Sequence, residues 1–157
     1  MAAETGSDTP SPTIIHASAI LVGASAVVIR GASGSGKSAL ILNLLSTLSA
    51  AGRFASLIGD DRVALEAHNG RLIVRAVQTI AGLIERRGQG IQRQTFEPAG
   101  LVGLIVDLRD GEPTRMPEAG MQQVTLCGVT VKRIELAGFG EPRTGDVLAA
   151  LDNTPIE

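Results

Sequence analysis

Gly31, Gly36, Lys37 and Ser38 fit the spacing G-x-x-x-x-G-K-[ST] within GASGSGKS, and the chemistry of that spacing is phosphate binding. Glycines at positions 31, 34 and 36 let the backbone approach an anion with no Cβ in the way. The N–H groups from Gly31 through Ala32, Ser33, Gly34, Ser35 and Gly36 can then converge on one point, where a following helix adds the positive end of its dipole. Lys37 supplies charge toward the β- and γ-phosphates of a nucleotide, and the Ser38 hydroxyl can ligate Mg²⁺. The bland alternative is a Gly/Ser-rich turn with a surface lysine, and the flanks argue against it. Val27, Val28 and Ile29 before the loop read as a buried strand, and Ala39, Leu40, Leu42, Leu44 and Leu45 after it read as a helix.

A phosphate loop alone says only that a nucleotide binds. GDD, Gly59 to Asp61, adds two carboxylates at the end of the apolar run FASLI. One carboxylate beside Mg²⁺ and one accepting a proton from an attacking hydroxyl is a minimal set for phosphoryl transfer. An Asp-Asp turn that merely caps backbone N–H groups is the plainer alternative. If the strand continues through the pair, Asp60 and Asp61 point to opposite faces. His16 precedes the strand that feeds the loop, so it either lies near the phosphates or fills a strand end. IERRGQGI, Ile84 to Ile91, joins an acid, two arginines and two glycines. It suits anion and metal contacts, or else a solvated turn.

These residues need a scaffold. TIIHASAILVGASAVVIRG reads as short strands broken at His16 and around Gly23 to Ser25. The helix after the phosphate loop runs to about Ala50, with Gly52 as its stop. Strand, crossover helix and strand make a parallel pair, which brings Asp60 and Asp61 to the carboxyl edge of the sheet beside the loop. RVALEAHNGRLIVRAV is a hairpin turning at Asn69-Gly70, with His68 a solvated tip residue. TIAGLIERRGQGIQ is a strand leaving into a charged loop, LVGLIVDLR a buried strand, MQQVTLCGVTVKRIEL a second hairpin and TGDVLAALDN a short helix. The expected architecture is an α/β sheet with antiparallel additions.

Composition narrows the partners. The 157 residues fit one domain. Residues 1–12, rich in Pro, Ser and Thr, are expected to be a disordered tail, and residues 13–157 the domain. Hydrophobic residues make up 44% and aromatics 2%, with no Trp or Tyr, so the core must be aliphatic and there is little to stack on single-stranded nucleic acid. A net charge of −2 gives no general pull toward phosphate backbones. No nucleic-acid or membrane partner is expected. The single cysteine, Cys127, is expected to pack in a strand. With no zinc-like Cys/His spacing, no long apolar run and no signal-peptide pattern at the start, a reducing cytoplasm is the expected compartment.

The order of His16, GASGSGKS, GDD and Glu85-x-Arg87-Gly88-x-Gly90-Ile91 resembles the catalytic domain of bacterial HPr kinase/phosphorylase, from about Thr13 to about Asp107. That family phosphorylates a serine of HPr, the small phosphocarrier of the phosphotransferase system, with ATP, and runs the reverse phosphorolysis to give pyrophosphate. The resemblance implies an atypical P-loop kinase core of the phosphoenolpyruvate carboxykinase-like type, a mixed sheet with a Walker A helix and β-hairpin additions. It implies a homo-oligomer, commonly a hexamer. By position, Lys37 contacts the phosphates, Ser38 and Glu85 bind Mg²⁺, and His16 lies beside the reacting groups. Asp60 is favoured as the base, with Asp61 toward the metal. Arg143, in GFGEPRTGDV, is the candidate for the arginine of the family's C-terminal catalytic loop. The chain resembles the short form without the further N-terminal domain of longer members. A P-loop kinase of a small metabolite and a non-catalytic nucleotide-binding regulator are the other readings of the same residues.

Overall fold

The computed structural model describes residues 12–86, 88–109, 122–137 and 144–152. Arg87 and Arg143 lie outside the described residues, as does the expected tail up to residue 11. In chain order the elements are β1 (Thr13–Ile15), β2 (Ala17–Val22), β3 (Ser25–Arg30), α1 (Lys37–Ala50), β4 (Ala55–Gly59), β5 (Val63–His68), β6 (Arg71–Ala76), a 3-10 turn (Gln78–Ile80), β7 (Leu83–Arg86), β8 (Gly90–Arg93), β9 (Ala99–Arg109), β10 (Gln123–Leu126), β11 (Val129–Ala137) and α2 (Thr144–Asp152).

The aliphatic pattern predicts a two-sided sheet, and β3 displays it. Val27 and Ile29 face a core shared with Leu40, Ile41, Leu44 and Leu48 of α1, Val106 of β9 and Val147 of α2. Ala26 and Val28 face a second core with Ala17, Ala19, Ile58, Leu65, Val74 and Ile105. Strands buried on both faces read as unbroken apolar runs. α1 stops where expected: Gly52 takes φ 71, and the Arg53 N–H bonds back to the Leu48 carbonyl at 2.8 Å, a left-handed helix closure.

Strand order departs from the expectation at one point. The sheet runs β1-β5-β6-β9-β3-β2-β4. β2 pairs antiparallel with both β3 and β4, so β3 and β4 are parallel in direction but are not neighbours. The reason is the tight turn at Gly23 and Ala24, which folds β2 onto β3 and occupies the edge that β4 was expected to take. The acid pair still leaves the same end of the sheet as the phosphate loop. β9 holds the sheet together. One edge pairs with β3, while the other is divided between β6 near its start and β11 near its end.

The two hairpins form as read. Asn69 and Gly70 take φ 53 and 76, the double left-handed turn that Asn-Gly favours. The β10–β11 turn places Cys127 at φ 52, and it is exposed. That corrects the expectation that it packs in a strand: the Cys127-Gly128 pair is the turn itself. The motif IERRGQGI is likewise a hairpin of β7 and β8, where one strand and a loop were expected. Among the described residues no helix is long and apolar enough to cross a membrane.

A ladder of charges crosses the ends of β3, β9 and β11, where Arg30, Asp107 and Glu135 stand side by side in register. Arg30 donates to both oxygens of Asp107 at 2.7 and 2.8 Å, and Arg133 also donates to Asp107. Arg109 and Arg133 each donate to Glu135 at 2.7 Å. Burial alone would push the Asp107 carboxyl up, but the hydrogen bonds and charges of Arg30 and Arg133 outweigh it and hold it below its ordinary 3.8. The stability such a carboxylate contributes is complete above its ordinary value and lost as pH falls through the depressed one. Melting temperature should therefore drop on acidification below about pH 4. Asp107→Asn should cost about 3 kcal/mol at neutral pH and flatten that acid limb. Urea melts of both proteins at several pH values check this, and an unchanged neutral midpoint would show that the ladder contributes nothing.

Candidate active site

The phosphate loop is the turn between β3 and α1. Gly36 caps α1 with φ 105, a conformation that side chains other than hydrogen rarely adopt, so the helix can begin directly at Lys37. The Lys37 side chain is only 5% exposed. Its Nζ donates to the carbonyls of Gly31 at 2.9 Å and Ala32 at 3.1 Å, which draws the ammonium across the loop and leaves further N–H capacity for an anion. His16, between β1 and β2, brings Nε2 to 3.4 Å from Ser33 Oγ and 3.5 Å from Lys37 Nζ.

The acid pair divides into a buried and an open carboxylate. The register of β2 against β4 slips between Ala19 and Ile20, a bulge that re-aims the end of the strand. Gly59 ends β4, and a Cβ there would come within 2.7 Å of Val63 Cγ1. Asp60 then turns inward, 7% exposed. Its Oδ1 accepts from Ser18 Oγ at 2.8 Å and Ser38 Oγ at 2.7 Å, and its Oδ2 from the Glu85 N–H at 3.1 Å. Asp61 takes φ 69 and turns outward, its side chain 61% exposed. Its Oδ1 lies 3.1 Å from His16 Nε2 and 3.8 Å from Lys37 Nζ. The two carboxylates thus diverge through a left-handed turn after the strand, where the sequence suggested alternation along it.

Ser33, Lys37, Ser38, Asp60, Asp61 and Glu85 line one cleft of about 500 Å³. The cleft also takes in Leu42 and Asn43 of α1 and Arg86 of β7. Ser38, Asp60, Asp61 and Glu85 bring hydroxyl and carboxylate oxygens to this cleft, the donor chemistry that suits Mg²⁺. Among the described residues no three His, Cys, Asp or Glu side chains cluster as a ready-made metal cage.

Most of the chain has a structural counterpart. The Hpr(Ser) kinase/phosphatase from Coxiella burnetii matches it with a TM-score of 0.70 at 22% sequence identity, over 88% of this chain and 86% of that one. The fold is that of an HPr(Ser) kinase/phosphatase. No family model matches the sequence, and no curated protein does. The resemblance seen in His16, GASGSGKS, GDD and the Glu85 motif therefore pointed to the right fold: an α/β protein with a large, curled, mixed sheet and few helices.

Of the residues picked from sequence, Ser33, Gly34, Gly36, Lys37, Ser38, Asp60, Asp61 and Glu85 line this cleft, and His16 stands beside it against Asp61, Ser33 and Lys37. Ser18 was not singled out, and Arg86 entered only as one of the two arginines of IERRGQGI. Arg86 is fixed by donating Nε to Gln92 Oε1 at 2.9 Å across the β7–β8 hairpin. Its cleft position is set by the hairpin, which the Gly88 and Gly90 pair could have signalled. For Ser18 the available signal was a lone hydroxyl inside the apolar run ASAILV, since a buried polar group needs a partner.

Proposed function

We propose that this protein transfers the γ-phosphoryl group of ATP·Mg²⁺ to a serine of an HPr-like phosphocarrier, and that the same site runs the reverse phosphorolysis. The observation that carries the reading is the convergence on one cleft of a phosphate loop, its lysine, and two carboxylates in different environments. The exposure of Asp61 favours a protein substrate over a small metabolite, because a serine on a folded partner can reach an open shelf but not a closed pocket.

We further propose that the two aspartates exchange the roles assigned from sequence, Asp61 acting as the base and Asp60 standing on the metal side. Asp60 already accepts from two hydroxyls and an amide and is nearly closed to solvent, whereas the Asp61 side chain is open to solvent. In the forward direction Asp61 accepts the serine proton as the serine oxygen bonds to the γ-phosphorus and the bond to ADP breaks. His16 holds the Asp61 carboxylate, and Lys37 with the loop N–H groups stabilises charge on the moving phosphoryl group. Bound Mg²⁺ would add charge neutralisation at the phosphates, held from the protein side by Ser38, Asp60 and Glu85. In reverse, inorganic phosphate attacks phosphoserine, and protonated Asp61 returns its proton to the leaving serine oxygen. Incubation with ATP, Mg²⁺ and HPr from the same source, followed by mass spectrometry, should give a single phosphoserine on HPr. An unmodified HPr with tightly bound ATP would favour a regulator instead.

A further inference from the structure

Ser18 sits in β2 between Ala17 and Ala19, and all three are 0% exposed. A hydroxyl in such a place is costly unless its hydrogen-bonding capacity is used. Both its donor and its acceptor serve the acid pair: the O–H donates to Asp60 Oδ1 at 2.8 Å, and the oxygen accepts the Asp61 N–H at 2.9 Å. The second bond restrains a residue with a left-handed backbone, φ 69, a conformation less favourable for aspartate than for glycine although Asp adopts it more readily than most side chains. It is this backbone turn that sends the Asp61 carboxylate toward His16 and Lys37 while Asp60 goes inward.

We infer that Ser18 is a positioning residue for phosphoryl transfer: one hydroxyl fixes the Asp60 carboxylate against Ser38 and, through the Asp61 N–H, fixes the direction of the base. The inference rests on the proposed transfer reaction. Ser18 is buried beneath the acid pair, and Asp60 keeps its bonds from Ser38 and the Glu85 N–H without it, so its effect belongs mainly on turnover, with little change in nucleotide affinity. Ala17 and Ala19 show that alanine is at home in this strand, so Ser18→Ala leaves the fold its packing and removes only the two bonds.

The test is steady-state transfer to HPr with ATP and Mg²⁺, alongside hydrogen exchange at the Asp61 amide. Ser18→Ala should lower kcat about tenfold with KM for ATP within about twofold, and Ser18→Thr, which keeps the hydroxyl, should recover most of it. The Asp61 amide should exchange at least about tenfold faster in Ser18→Ala, while the amides of Leu57 and Ile58 stay protected. In an Asp61→Asn background the same change should cost no more than about threefold, because its action through Asp61 is already disabled and only its hold on Asp60 remains. A Ser18→Ala enzyme with wild-type kcat overturns the inference and leaves the kinase reading intact. So does a loss undiminished in the Asp61→Asn background. A wild-type protein that transfers no phosphoryl group to HPr overturns the kinase reading, and this role with it.

Discussion

Asp61→Asn should lower the rate of HPr phosphorylation a hundredfold or more, on the order expected for loss of a general base, with ATP·Mg²⁺ affinity nearly unchanged. The amide keeps the size of the carboxylate but cannot take up the serine proton, and the rate of phosphorolysis should fall in parallel because the same group must return a proton there. Asp60→Asn should behave differently. Its side chain accepts three hydrogen bonds, two of them on Oδ1, and an amide nitrogen cannot replace an accepting oxygen. The expected result is a higher Mg²⁺ requirement and weaker nucleotide binding, with activity partly restored at high Mg²⁺. Kinase assays over a Mg²⁺ titration separate the two. If Asp60→Asn loses turnover at saturating Mg²⁺ while Asp61→Asn changes only the metal requirement, the base is Asp60, as the sequence alone suggests. If neither variant loses activity, the acid pair does no chemistry.

Lys37→Ala should abolish transfer, with a loss on the order of a thousandfold, while the circular dichroism spectrum is unchanged. The ammonium is buried and spans the loop to the Gly31 and Ala32 carbonyls, so it is pre-placed where negative charge moves and needs no reorganisation during the reaction. Because that charge must be stabilised more in the transition state than in the bound nucleotide, kcat should fall further than ATP affinity. Activity within a few-fold of wild type would refute the phosphate-loop assignment.

How much of this was legible in the sequence depends on the range of the interactions involved. The phosphate loop, α1 with its Gly52 stop, and the Asn69-Gly70 hairpin are set by neighbours a few residues apart, and their residue types alone locate them. The insertion of β2 between β3 and β4 depends on which of two edges a strand takes, and nothing in the apolar runs of β2, β3 and β4 distinguishes one edge from the other. The different directions of Asp60 and Asp61 depend on a bulge in pairing and on one left-handed residue. Neither leaves a mark in a pair of identical side chains. Ser18 lies 42 residues from Asp60, so its purpose appears only once the two strands lie together.

The place of β9 in the sheet also bears on how the chain is made. β3 carries the apolar run Val27, Val28 and Ile29, and one of its two edges is filled only by β9. Arg30 and its partner Asp107 are separated by 77 residues. At ribosomal rates of roughly 5 to 20 residues per second, that partner arrives about 4 to 15 s later. Within that interval the phosphate loop and the acid pair are synthesised, while the strand leading into the loop offers open backbone N–H and C=O groups along an apolar edge. Such an edge is a template for pairing with other nascent chains, so mispairing during synthesis would begin at this strand and be ended by the arrival of β9.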